Sequence, residues 1–334
     1  MDAGSQDSNE GLDESEDGTI PTSDPDDDTS DEASVRAVEK SPRGRFIRFN
    51  KRLGTGAFKV VYLAFDNDTG CEVAWNVLPF KRLGKHERKQ INTEIKIASM
   101  LHHPRILRYK SSWVNRERGE VVFISDRISG GSLWSYIKRI GGPLKLKLIR
   151  MWGRQILEGL EYLHALEPNP VIHRDIKCSN IFVSSADGQV VIGDLGLCTS
   201  LMMNPATSLV GTPEFMAPEM YDEQYGTEVD IYAFGMSLLQ MASRKLPFSE
   251  CSTTGQVYKY IASGRRPEDV AKIGNEDLRR IIEACICFDP KARPKASELL
   301  RDPFWDCVEK GNNLVDLIIP NLSIPMSHTN VISY

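Results

Sequence analysis

No run of apolar residues in this 334-residue chain approaches the twenty or so that a membrane-spanning helix needs, and no signal peptide is expected at its start. A protein without a membrane span and located in the cytoplasm is the expectation. Cysteine is sparse and unordered. The seven (Cys71, Cys178, Cys198, Cys251, Cys285, Cys287 and Cys307) are odd in number and none forms a C-x-x-C pair. That spacing argues against a disulfide framework and against a zinc site, and it fits a reducing compartment. The first forty residues are poor in aliphatic side chains and hold no aromatic ones, but carry fourteen Asp/Glu against Arg36 and Lys40. Such a segment cannot bury enough apolar surface to offset its ordering entropy, so residues 1–43 are expected to be a disordered acidic leader. Its charge conceals a basic remainder. The whole chain is −5, whereas residues 41–334 are +7. Nothing in the pattern points to a nucleic-acid partner.

From Phe46 the pattern is β-rich. Phe46–Leu53, Lys59–Phe65, Cys71–Leu78, Ile106–Ser112 and Val121–Ser125 read as five short antiparallel strands separated by turn residues. A single helix at about residues 87–101 interrupts them, with Ile91, Ile95 and Ala98 on one face. After Gly130 the chain turns helical, and Ile149, Trp152, Ile156, Leu160 and Leu163 form a core-type stripe. The expected class is α+β: a small five-stranded sheet lobe with one helix (44–128), a larger helical lobe (129–305) and an irregular tail (306–334).

Several motifs carry chemistry. Gly54, Thr55 and Gly56 sit between two strands, where missing Cβ atoms let the backbone approach a phosphate chain. Alone that signal is weak. His173-Arg174-Asp175 with Lys177 and Asn180 follows the long apolar helix, and Asp194-Leu195-Gly196 comes fourteen residues after Asn180. Further on are Ala217-Pro218-Glu219 and Arg293, the last two a structural pair. Together these match the protein kinase signature set, whose task is to position a γ-phosphate and a hydroxyl and to neutralise charge. In those roles Asp175 orients or deprotonates the acceptor hydroxyl, Lys177 steadies the γ-phosphate, and Asn180 and Asp194 hold Mg²⁺. ATP is the expected nucleotide, with Val61, Ala74, Ser125, Asp126 and Ile128 around its base. Lys177 together with Thr212 points to serine or threonine acceptors.

One expected residue is missing. The strand Glu72-Val73-Ala74-Trp75-Asn76 has asparagine where such enzymes carry a phosphate-binding lysine, and Lys59 stands where a third glycine is usual. Side chains alternate along a strand, so Lys59, two residues before Val61, shares its cleft-facing side. Asn76, two residues after Ala74, fills the vacated slot. Glu94, eighteen residues past Asn76, is the natural carboxylate partner for the cleft lysine. Two readings stand: an active kinase using Lys59, or a kinase-shaped scaffold that lost its lysine and binds partner proteins.

A kinase lacking the strand lysine but carrying one in the glycine-rich hairpin resembles the with-no-lysine (WNK) family over residues 44–304. The resemblance rests on Gly54 to Lys59, Glu72 to Asn76, His173 to Phe182, Ile192 to Leu197, Gly211 to Met220 and Asp230 to Met236. It implies that the relocated lysine is catalytic and that Ser208 is the autophosphorylated activation-loop serine. The family's second phosphoserine position holds Asn204. Animal members sense chloride through backbone amides that correspond to Gly196 and Leu197, with Leu195, Tyr109 and Phe123 nearby, the last two departing from the animal pattern of Phe and Leu. Chloride is thus an implied ligand and ion, osmotic or stress signalling an implied role, with downstream kinases among the substrates. Asn76 and Ser179 are closer to plant or other non-animal members.

Overall fold

The computed structural model describes residues 34–56, 59–79, 95–194, 212–222 and 225–306. Within Arg36–Tyr334, a six-stranded antiparallel sheet comes first. Its strands are β1 (Ala37–Lys40), β2 (Phe46–Thr55), β3 (Val60–Asp66), β4 (Cys71–Pro79), β5 (Tyr109–Asn115) and β6 (Glu120–Asp126), in the order β1-β2-β3-β4-β6-β5. The expected count was five. The extra strand, β1, lies in the stretch read as acidic leader, because four residues pairing with β2 satisfy their backbone without needing apolar side chains. Arg118, in the β5–β6 turn, reaches Glu39 of β1 at 2.9 Å, so the two ends of the sheet curl toward each other. The other strand limits shift by one to three residues. Lys59 precedes β3 instead of opening it, and Ile106 makes only an isolated bridge to Ile192, leaving β5 to begin at Tyr109.

The curl explains why β4 reads as four buried residues in a row. Val73 and Trp75 pack with Phe46, Ala64, Val122 and Ile124 on one face. Ala74 and Asn76 are buried on the other, which roofs a cleft. Residues 95–100 are helical, with Ile95 and Ala98 buried; the part of the expected helix before residue 95 lies outside the described residues.

The second part of the chain is built on α1 (Leu133–Arg139), α2 (Leu146–His164) and α3 (Glu228–Ser243). All five residues of the anticipated stripe on α2 are buried, none more than 3 % exposed. Helix α3 is apolar nearly all round and runs through the core. A two-stranded ribbon, β7 (Ile181–Val183) with β8 (Val190–Ile192), lies against α2 and carries the ends of the loops that face the sheet lobe. Glu219 and Arg293 form the expected brace. The guanidinium is fully buried, 2.9 Å from Glu219 Oε2, and its Nε donates to Cys287 O at 2.7 Å.

Candidate active site

The lower wall of the cleft is organised from below by one buried carboxylate. Asp230, in the first turn of α3, accepts from His173 N and Arg174 N at 2.8 Å each, and His164 Nε2 lies 2.9 Å away. Burial would raise this carboxyl, but the His164 hydrogen bond and the neighbouring imidazoles outweigh it and hold the group below its ordinary value. The network fixes Arg174 at φ 68°, a left-handed conformation that a non-glycine residue adopts only when its surroundings enforce it. His173 is fully buried, and its Nε2 meets Gly193 O at 2.8 Å. A carbonyl can only accept, so Nε2 carries the proton, and Nδ1 is left to accept from Asp175 N at 3.3 Å. Burial pushes the imidazole pKa down, in keeping with that neutral tautomer.

This loop presents three of the predicted site residues together. Asp175 Oδ1 lies 2.9 Å from Lys177 Nζ, and its Oδ2 accepts from Asn180 Nδ2 at 2.5 Å. The Asn180 amide nitrogen also donates to Asp175 O at 2.9 Å, so its oxygen is directed away from Asp175. Lys177 Nζ further reaches Thr212 Oγ1 at 3.2 Å, tying the loop to the segment before Glu219.

The upper wall is built by strand alternation. Val61 is paired with Asn76 across β3 and β4, and Ala74 with Ser125 across β4 and β6. Asn76 is 4 % exposed, and its Nδ2 donates to Ala74 O and Phe123 O at 3.3 Å and to Ser125 Oγ at 3.2 Å. The slot therefore holds a neutral amide turned toward the β6 backbone. Lys59 extends across the cleft to an ion pair with Asp194, with its ammonium 5.8 Å from the Phe123 ring centroid. The glycines above it are not demanded by packing. A Cβ on Gly54 would meet nothing within 4 Å, and one on Gly56 only Lys59, at 3.8 Å. What their absence keeps open is the roof of the cavity.

Gly54, Thr55, Gly56, Lys59, Val61, Ala74, Ser125, Asp126, Ile128, Asp175, Lys177, Asn180 and Asp194 all line this one cavity of about 600 Å³. Glu94, Leu195, Gly196, Leu197 and Ser208 lie outside the described residues. Leu53, Leu107 and Phe182 were not anticipated, although they supply its apolar surface. Phe182 was readable by alternation: its neighbours Ile181 and Val183 are buried in the core, so it must face the other way. The volume falls within the range of small-molecule sites. One carboxylate and one amide oxygen suit a hard cation that takes its other ligands from phosphates and water, the usual Mg²⁺ arrangement. Among the described residues no cluster of three or more His, Cys, Asp or Glu could form a self-sufficient metal cage.

A curled sheet and a helical body enclosing this constellation define a protein kinase domain. The protein kinase domain family model matches residues 47–305. The chain is 43% identical over 277 residues to mouse serine/threonine-protein kinase WNK3, 41% over 277 residues to human WNK4, and 44% over 271 residues to WNK8 of Arabidopsis thaliana. These alignments cover 82%, 82% and 80% of the chain, but only 16%, 22% and 47% of the respective relatives. The chain belongs to the protein kinase domain family, and its WNK homologues are 41–44% identical to it over about 80% of its length. Overall identity does not separate its animal from its plant relatives. Members of this family in general use ATP with Mg²⁺ and act on proteins. Among the described residues no helix is long and apolar enough to cross a membrane.

Proposed function

We propose that the protein is an active, cytoplasmic serine/threonine kinase whose phosphate-binding cation is Lys59. The observation that carries this reading is the Lys59–Asp194 ion pair across the cleft, set against a neutral, hydrogen-bonded Asn76. A decayed scaffold has no need to keep a cation reaching into the cleft from the hairpin before β3 while also keeping Asp175, Asn180 and Asp194. Bound Mg²⁺ would neutralise charge on the ATP phosphates, and Asn180 Oδ1 with the Asp194 carboxylate would hold it. Lys59 would bind the α- and β-phosphate oxygens, and Glu94 is proposed as its helix partner. Asp175 would accept or orient the hydroxyl proton of a protein serine or threonine, with Lys177 beside it for the γ-phosphate. Gly54, Thr55 and Gly56 would cover the phosphates. Val61 and Ala74 would cap the base, at whose edge Ser125, Asp126 and Ile128 lie. The domain limits proposed are a sheet lobe at 44–128 and a helical lobe at 129–305.

The deciding experiment is phosphate transfer from Mg·ATP to a generic protein acceptor by the wild type, Lys59→Met and Asp175→Ala. Full activity of Lys59→Met would remove the relocated-cation reading, and an inert wild type would favour the scaffold. Regulation through Ser208 phosphorylation and a chloride ion at Leu195, Gly196 and Leu197 is a further part of the reading, as is a role in ion or osmotic signalling. Tyr109 and Phe123, the described walls of that site, are both buried, with ring centroids 5.5 Å apart. Ser208 autophosphorylation that does not respond to chloride would retire the chloride assignment.

A further inference from the structure

A smaller groove of about 320 Å³ adjoins the cavity. Ile106 and Leu107 are its buried floor, Ile128 and Val191 are half-buried in it, and Pro104 is exposed at its edge. The volume suits a few side chains of a linear segment and not a folded partner. Leu107, Asp126 and Ile128 line the groove and the larger cavity alike, so whatever fills the groove packs against a shared strip. Two of the lining residues carry a fixed charge. Asp126 is already paired with Lys110 at 3.1 Å. Arg108 is exposed and has no carboxylate partner among the described residues.

The described chain ends on a path that leads to this groove. Asp306 Oδ1 lies 3.7 Å from Arg154 Nη1, and Arg154 Nε lies 3.4 Å from Glu158 Oε1, one turn further along α2. Glu158 Oε2 in turn takes Arg105 Nε at 3.1 Å, and Arg105 sits between Pro104 and Ile106. Residues 307–313 can span up to roughly 23 Å when extended, enough to follow that relay. Next in the chain come Leu314, Val315, Leu317, Ile318 and Ile319 around Asp316, which is the only Asp, Glu, Lys or Arg in residues 311–334. Their aliphatic side chains match the floor of the groove, and the one negative charge matches Arg108. The acidic residues at the start of the chain have the charge but few aliphatic side chains to fill an apolar floor.

We infer that the groove is a docking site for the chain's own residues 314–320, held by burial of their aliphatic side chains and by an ion pair between Asp316 and Arg108. Docking braces the strip that the groove shares with the cavity, and it does so whether the cavity serves catalysis or only binding.

The test places the photo-cross-linker p-benzoylphenylalanine at position 318 of the full chain and maps its attachments by mass spectrometry after irradiation. Expected are attachments within residues 102–108, 126–128 and 191 of the same molecule, in a yield independent of protein concentration. R108D and D316R should each lower that yield about threefold, the scale of one exposed ion pair, and R108D/D316R should recover it. D316R leaves every described residue in place, so a loss of yield in that variant does not report misfolding. Attachments elsewhere on the chain, or a double variant that recovers nothing, overturn the docking assignment. Links between molecules that rise with concentration also overturn it and give the groove to a second copy, and no attachment at all gives it to another protein.

Discussion

The two walls of the cleft are held by different physics. The lower wall rests on a hydrogen-bond hub in which Asp230 fixes His173 and Arg174, and through them Asp175 and Asn180. Each member depends on the others, so no residue there can move without loosening the rest. The upper wall rests on strand alternation alone. A cleft-facing position on β4, or in the hairpin before β3, can deliver a side chain into the cavity proposed to hold the phosphates. A cation can therefore pass from one strand to its neighbour without rebuilding the scaffold, and in this protein the residue at the vacated position is an amide satisfied by β6. Redundant geometry tolerates relocation, whereas a shared buried carboxylate does not.

That contrast can be broken experimentally. The largest effect should come from Asp175→Ala, which removes the group proposed to orient the acceptor hydroxyl. A loss of about 10²–10⁴-fold in kcat is expected in single-turnover transfer assays. Lys59→Met should follow at about 10²–10³-fold, because one charge-stabilising contact is lost while the scaffold survives. Near-wild-type rates would mean that some other cation serves the phosphates.

Asp230→Asn should separate the walls more sharply than either. Two backbone N–H groups and the His164 imidazole point at two carboxylate oxygens, and an amide supplies only one acceptor oxygen, so a donor must face a donor. About 2–3 kcal/mol of unfolding free energy should disappear in urea titrations, accompanied by a fall in kcat. No equivalent single substitution in the upper wall should match it.

Acid should act on the same hub. The pKa of His173 is lowered in the fold, so the unfolded chain binds the proton more readily. Stability should accordingly decline as pH drops below the unfolded value of about 6.5. Asp230 is also lowered, so its contribution is intact above the unfolded carboxyl value of about 3.9 and is lost as pH falls toward its folded value. Urea midpoints that stay flat between neutral pH and pH about 5 would contradict the His173 part.

The smallest effect is a predicted absence. Asn76→Lys should not raise kcat, because it adds a second ammonium at a buried position of the cavity in which Lys59 is already proposed to bind the phosphates. A several-fold gain in purified protein would show that Lys59 does not do the full electrostatic work.

The legibility of these features follows from their physical range. Helix α2 was visible because an apolar stripe is a local, periodic property of the chain. That Lys59 and Asn76 both line the cavity was visible because a two-residue offset from Val61 and from Ala74 predicts a shared face. Strand β1 was hidden by composition: its four residues are mostly exposed and are held by backbone pairing, which leaves little trace in side-chain pattern. Leu53, Leu107 and Phe182 carry no motif of their own and reach the cavity only because three distant elements meet there.

By itself the sequence determined the list of candidate groups and the side of each strand on which they lie, since spacing and alternation are one-dimensional rules. Only the tertiary structure decided which groups touch. The Asp230 hub joins positions 164, 173, 174 and 230, and Lys59 meets Asp194 from 135 residues away. Contacts at such separations are set by how the helices and the sheet pack around a common core, a property no local pattern encodes.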